Sequence, residues 1–239
     1  MKLYVADYEK LNIPREYEKY LSVLPAESVE RINGKKQEQA KYLALMRELM
    51  VQLVLRREAE ASGWGPCGTS DRGSKTTVGE ALPLQMKKGE HGKPFLDPPC
   101  PNFDFNLSHS GSMVILGIAS GPIGVDVEKT KRAYLNIEGM MRHFTEREAL
   151  RIRRALNKEA EFYRIWTYRE AFSKETGFGL AIFGKEEIDI DYRQRSIRHE
   201  GRNLKIWEYS MPGYQIAVCT DGSEGKPEVQ MIRETDMIR

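Results

Sequence analysis

The sequence predicts an α+β protein of two similar lobes, each a small, mainly antiparallel sheet packed on a long helix. Three observations lead there. A long uninterrupted helical pattern sits in the first third, short alternating strand patterns fill the middle, and helices followed by further strand patterns close the chain. The order strand, long helix, strands, then strand, helices, strands suggests one lobe over 1–120 and a second over 121–239, with a cleft between them. No sequence repeat accompanies that order, so the symmetry is an inference from element succession.

At the N-terminus, MKLYVADYEK meets charge at Asp7, which is too early for the apolar core of a secretory leader and fits a strand at an edge of the fold. From Lys35 to Glu60, Leu43, Met46, Leu49, Met50 and Leu53 recur at helical spacing with no Gly or Pro, which predicts one long, half-buried helix. Residues 61–90 change to Gly, Ser, Thr and Lys and read as a polar insertion with at most one short strand, Trp64 and Cys67 being local anchors. Phe103, Phe105 and Leu107 alternate with Asp104, Asn106 and Ser108, a turn is expected at 109–112, and the apolar run 113–119 completes a hairpin. The segment 123–128, IGVDVE, is a third strand. Helices fill 133–177, with a capping box at Thr145 and Glu148, a second start near Lys158 and a stop at Gly177. Strand patterns return in 186–219 as IDID, LKIWEY and YQIAVC.

Composition narrows the class. The 239 residues carry 37 basic and 35 acidic side chains, net +2, with 30% charged and 40% hydrophobic residues, an ordinary globular profile without the basic excess of a nucleic-acid specialist. No apolar run approaches the roughly 18 residues of a membrane span, and a cytoplasmic protein is expected. The three cysteines, Cys67, Cys100 and Cys219, are scattered and form no Cys-x-x-Cys pair, so they are expected reduced, with no disulfide framework or zinc knuckle.

Three clusters could carry chemistry. Asp126 and Glu128 alternate with Val125 and Val127, so a strand puts both carboxylates on one face; the pair fits either a Mg²⁺ site completed by water and phosphate oxygens, or simply a polar strand face. In the helix after Lys158, Tyr163, Trp166, Glu170 and Lys174 share a face, while Phe162, Ile165 and Phe172 form a core stripe; Glu170 and Lys174 fit a surface ion pair or a metal ligand beside a phosphate-binding ammonium. Asn106 to Gly111, with Lys93 and Pro94 ahead of it, offers a hydroxyl, an imidazole and turn N–H groups suited to an anion. The Ser-His pair alone does not make a hydrolase, and no Walker loop or Gly-x-Ser-x-Gly elbow occurs. Spacing alone therefore stops at Mg²⁺-dependent phosphate chemistry.

Four segments in order carry a resemblance: Gly92-Lys93-Pro94, FNLSHSG at 105–111, IGVDVEKTK at 123–131, and FYRIWTYREAFSKETGFGL at 162–180. In these the chain resembles the 4′-phosphopantetheinyl transferases of the two-lobed, single-chain type. The resemblance implies a pseudo-twofold fold and a monomer. It also implies transfer of the phosphopantetheine arm of coenzyme A to a serine of an acyl or peptidyl carrier protein, releasing adenosine 3′,5′-bisphosphate. Asp126, Glu128 and Glu170 would hold Mg²⁺, Glu170 would deprotonate the carrier serine directly or through water, and Lys174 would stabilise the phosphate in flight. Lys93, Pro94, Ser108 and His109 would meet the coenzyme. Lys36, with Lys35 and Lys41, would serve its adenine side.

Two departures stand out: Arg169 takes the place of a family lysine, and the 61–90 stretch is longer than usual. Arg151, Arg153 and Arg154 suggest a docking face for an acidic carrier, or a solvated helix face. The rival readings are a degenerate module that binds coenzyme A or a carrier without transfer, and a Mg²⁺-dependent phosphohydrolase.

Overall fold

In strand β1 (Lys2–Asp7) the side chains split by parity: Tyr4 and Ala6 face the helices of the N-terminal half, while Leu3 and Val5 face a second sheet. This computed structural model describes residues 1–64, 84, 86–89, 92–130, 136–179 and 188–237. After β1 come α1 (Tyr17–Leu21), α2 (Ala26–Asn33), α3 (Glu38–Leu49), a π-helical stretch over Met50–Leu55, and α4 (Arg56–Ala61). Then follow β2 (Met86–Lys88), β3 (Pro94–Leu96), β4 (Asp104–Ser110), β5 (Met113–Ala119) and β6 (Gly124–Lys129). The rest comprises α5 (Ile137–Met140), α6 (Glu146–Arg154), α7 (Lys158–Thr176), β7 (Asp189–Asp191), β8 (Ser196–His199), β9 (Arg202–Met211), β10 (Tyr214–Thr220) and β11 (Glu228–Met231).

One sheet has four strands in the order β11-β1-β5-β4, and another has five in the order β6-β10-β9-β8-β7. All neighbouring pairs are antiparallel except β1 with β11. Because Met113 to Ala119 is buried at every position, its odd members meet the second sheet and its even members the α3 side, which explains a continuous apolar run where alternation is usual. Leu45, Met46 and Leu49 of α3 pack on Phe105 and Leu116, while Phe162, Ile165 and Phe172 of α7 pack among Ile206 and Ala217. Val5, Ile115, Val125, Val127, Ile216 and Val218 fill the space between the sheets, each contributing about 1.5–3 kcal/mol by burial.

The fold is the expected α+β class, and most elements fall where the patterns put them. The capping box forms, Thr145 N donating to Glu148 Oε2 at 3.0 Å and Glu148 N to Thr145 Oγ1 at 3.3 Å. Gly177 ends α7 in the left-handed region at φ 79°, a conformation that glycine adopts without strain. Trp64 is an anchor, its Nε1 donating to the Pro98 carbonyl at 2.8 Å.

Some expectations are corrected. The long helix starts at Glu38 rather than Lys35 and carries the π-helical stretch at its centre, which turns Gln52 inward to accept from Leu84 N at 3.0 Å. The hairpin turn is tighter than 109–112, since β4 runs on to Ser110 and His109 pairs with Val114 inside the ladder. Strand β11 comes back to lie beside β1, so the two sheets do not divide the chain at one point. Residues 65–83, and Cys67 with them, lie outside the described residues.

Candidate active site

Strand β6 is paired on one side with β10, which leaves its other edge of N–H groups facing β4 of the first sheet. The polar alternation of β4 meets that edge. Ile123 N donates to Asp104 Oδ2 at 2.9 Å, Val125 N to Asn106 Oδ1 at 2.9 Å, Val127 N to Ser108 Oγ at 3.4 Å, and Lys129 N to Ser110 Oγ at 3.0 Å. Side chains thus replace a partner strand and join the two sheets. Of the turn expected at 109–112, His109 and Ser110 are therefore strand, and the hydroxyls of Ser108 and Ser110 face β6.

On its α7 side, β6 approaches through Gly124. A Cβ there would stand 1.9 Å from the Ala171 carbonyl oxygen and 2.3 Å from Glu175 N, so only glycine allows the helix this close. That approach carries Lys174 to the strand: its Nζ donates to Asp126 Oδ1 at 2.7 Å and to Ser108 Oγ at 2.9 Å, while Ser108 Oγ donates to Asp126 Oδ1 at 3.0 Å. Ser110 Oγ donates to Glu128 Oε2 at 2.8 Å.

Asp126 is buried at 3% exposure, and its Oδ2 has no hydrogen-bond partner. Burial pushes its carboxyl up to about 7, with Glu170 and Glu128 adding to the rise and Lys174 opposing it. Glu170, half-buried one turn before Lys174, is likewise raised by burial and by Glu128 against the pull of Lys174. A wholly buried carboxylate oxygen without a donor, near two further carboxylates, is what a hard divalent cation would satisfy. Among the described residues no three acid, histidine or cysteine side chains already converge as a metal cage, and the Lys174 ammonium lies against Asp126.

His109 is exposed at the rim, yet desolvation of its ring, followed by the charges of Arg47 and Lys174, pulls it down to about 4, so it is neutral at physiological pH. Arg47, on α3, is not among the expected adenine-side residues, which are Lys35, Lys36 and Lys41 at the start of the helix. Lys36 and Lys35 are exposed before α3, and no hydrogen bond or ion pair among the described residues ties them to the cluster. Pro94 opens β3. Lys93 is turned into the protein, its Nζ donating to Asp104 Oδ2 at 2.6 Å and to the Ile123 carbonyl at 3.0 Å; here it braces the first rung of the β4–β6 ladder. Tyr163 and Trp166 belong with the core under α7 rather than with Glu170 and Lys174.

Arg169 does not reach into the cleft. At 1% exposure it forks onto Glu148, Nε to Oε1 at 2.8 Å and Nη2 to Oε2 at 2.8 Å, and Tyr192 OH donates to the same carboxylate. Arg169 is thus half of a buried structural pair.

Comparison with known proteins identifies a family. The model of the 4′-phosphopantetheinyl transferase superfamily matches residues 122–219, the span that holds β6, α7 and β10. The chain is 26% identical over 245 aligned residues to 4′-phosphopantetheinyl transferase Sfp of Bacillus subtilis (strain 168), with 100% of both chains covered. It is 33% identical over 167 residues to 4′-phosphopantetheinyl transferase psf-1 of Bacillus pumilus, covering 66% of this chain and 71% of that one. It is also 29% identical over 153 residues to the L-aminoadipate-semialdehyde dehydrogenase-phosphopantetheinyl transferase of Homo sapiens, covering 53% of this chain and 48% of that one. On these matches, the chain belongs to the 4′-phosphopantetheinyl transferase superfamily.

Proposed function

We propose that the protein transfers the 4′-phosphopantetheine arm of coenzyme A to a serine of an acyl or peptidyl carrier protein, releasing adenosine 3′,5′-bisphosphate. The observation that carries this reading is the Ser108–Asp126–Lys174 cluster, which sets an ammonium and a hydroxyl against a buried carboxylate with an unsatisfied oxygen. The coenzyme lies in the groove between the lobe of residues 1–120, which β11 joins beside β1, and the rest of 121–239, its phosphates toward Ser108, His109 and Lys174. Arg47 contributes positive charge at the same rim.

The carrier serine loses its proton to the Glu170 carboxylate as its oxygen bonds to the pantetheine-side phosphorus. The bond from that phosphorus to the bridging oxygen breaks, and adenosine 3′,5′-bisphosphate leaves with the electron pair. Burial raises the proton affinity of the Glu170 carboxylate, with Glu128 adding to it and Lys174 opposing it. Lys174 neutralises charge on the phosphate oxygens, where stabilisation lowers the barrier. Mg²⁺ would be held by Asp126, Glu128 and Glu170, and when bound it supplies charge neutralisation for the pyrophosphate.

No helix among the described residues is long and apolar enough to cross a membrane. We place the protein in the cytoplasm as a monomer acting on coenzyme A and a carrier, with no nucleic acid or membrane partner. Chromatographic assay of adenosine 3′,5′-bisphosphate tests the reaction class. Release in proportion to apo carrier, and none without it, supports transfer. Release without carrier indicates the phosphohydrolase, and coenzyme binding with no release indicates a binding module.

A further inference from the structure

The rungs between β4 and β6 are of two kinds. Asp104 and Asn106 accept the N–H groups of Ile123 and Val125, each preceded in the chain by a residue without an acid, Pro122 and Gly124. Ser108 and Ser110 accept the N–H groups of Val127 and Lys129, each preceded by an acid, and each serine also donates to that acid: Ser108 to Asp126 Oδ1 at 3.0 Å, Ser110 to Glu128 Oε2 at 2.8 Å. A carboxamide or carboxylate oxygen would cap an N–H as well as a hydroxyl does, but only the hydroxyl accepts and donates through one atom. Serine stands at the rungs where an acid has to be aimed.

We propose that Ser110 is a positioning residue of the metal site, holding the Glu128 carboxylate toward the cleft from the neighbouring sheet. The inference rests on the reading that Asp126, Glu128 and Glu170 hold Mg²⁺. Ser110 is itself fixed in place. It is buried at 5% exposure, and the turn after it is clamped by Tyr214, whose OH accepts from Ser112 N at 3.1 Å. Gly111, at φ 59°, has no room for a side chain, because a Cβ would come within 2.6 Å of Lys129 and 2.7 Å of the Tyr214 OH. A hydroxyl on so rigid a strand end restricts the carboxylate it touches, and partners of this kind behind metal ligands typically account for about ten- to a hundredfold in metal affinity.

The test compares two broken rungs. Mn²⁺ binding is measured by electron paramagnetic resonance in the presence of coenzyme A and without carrier, so that no turnover is involved. Ser110→Ala loses a rung and the aim of Glu128, and should weaken Mn²⁺ binding about tenfold or more. Asn106→Ala loses a rung that touches no acid, and should bind Mn²⁺ within about twofold of the wild-type protein. Binding by Ser110→Ala equal to wild type, or an equal loss in both variants, overturns the proposal. Should the alanine protein not fold, Ser110→Cys, close in volume and a poor hydrogen-bonding group, replaces it with the same two outcomes. A wild-type protein that binds no Mn²⁺ overturns the metal assignment itself, and this proposal with it.

Discussion

Arg169 separates the presence of a charge from its use. Its position beside Glu170 is legible in the sequence, but its partner is 21 residues away on another helix, where Glu148 reads as a capping residue and nothing more. Glu148 does both tasks, accepting from Thr145, Arg169 and Tyr192, so removing the guanidinium leaves a buried charge short of donors. Arg169→Met should cost about 3–5 kcal/mol of folding stability in urea titrations, while Arg169→Lys, which keeps the charge but not the fork, should cost less. Burial pushes Glu148 up, but Arg169, Tyr192 and Thr145 outweigh it and hold its carboxyl below the ordinary 4.5. Its pairing therefore contributes stability that is complete above that value and is lost as pH falls through the lower folded one. The stability gap between wild type and Glu148→Gln should accordingly shrink on acidification below 4.5, and a gap independent of pH would contradict the pairing. At the rim, the His109 titration seen by nuclear magnetic resonance should start near 4 in the free protein and move upward when coenzyme A brings phosphate charge beside it. An unchanged titration would remove His109 from the coenzyme site.

At the scale of elements, the β4 alternation is legible as a strand, and so is β6. What the sequence does not reveal is that the polar face of one caps the open edge of the other, because an apolar–polar alternation usually separates core from solvent. Here most of both strands is buried, and Asp104, Asn106, Ser108 and Ser110 meet the backbone of 123–129 rather than water. The π-helical stretch is equally silent, since its apolar spacing is compatible with an ordinary helix. Gly124 is visible only as a glycine opening a strand. Its role follows from the 1.9 Å that a methyl group would leave to the Ala171 carbonyl, so Gly124→Ala should push α7 off β6, cost on the order of 1–3 kcal/mol or more in thermal unfolding, and separate Lys174 from Asp126. A variant that melts as wild type and retains full transfer would show that the close packing is dispensable.

For the whole molecule, two sheets with helices on their outer faces and an apolar layer between them place the acids of β6 where α7 and β4 both reach. The class and the order of elements are readable from the sequence, whereas the return of β11 is not, because four residues following Gly225 and Pro227 carry no periodicity of their own. The arginines of α6 divide in the folded protein. Arg151 is turned inward onto Glu161 and over the Tyr192 ring at 4.7 Å, while Arg153, 3.5 Å from Glu138 Oε2, and Arg154 are exposed. Replacing both with alanine should raise the carrier KM at low salt and flatten its salt dependence, with the coenzyme A KM unchanged. Equal salt dependence in the variant and the wild type would leave that face as solvated surface.

Intact-protein mass spectrometry of an apo carrier protein, incubated with this protein, coenzyme A and Mg²⁺ and in parallel with a chelator, tests the central claim most directly. The carrier should gain the mass of one phosphopantetheine arm, chelation should abolish the gain, and Asp126→Ala should abolish it while leaving the fold intact. No gain on any carrier class by a protein that still binds coenzyme A would contradict the account.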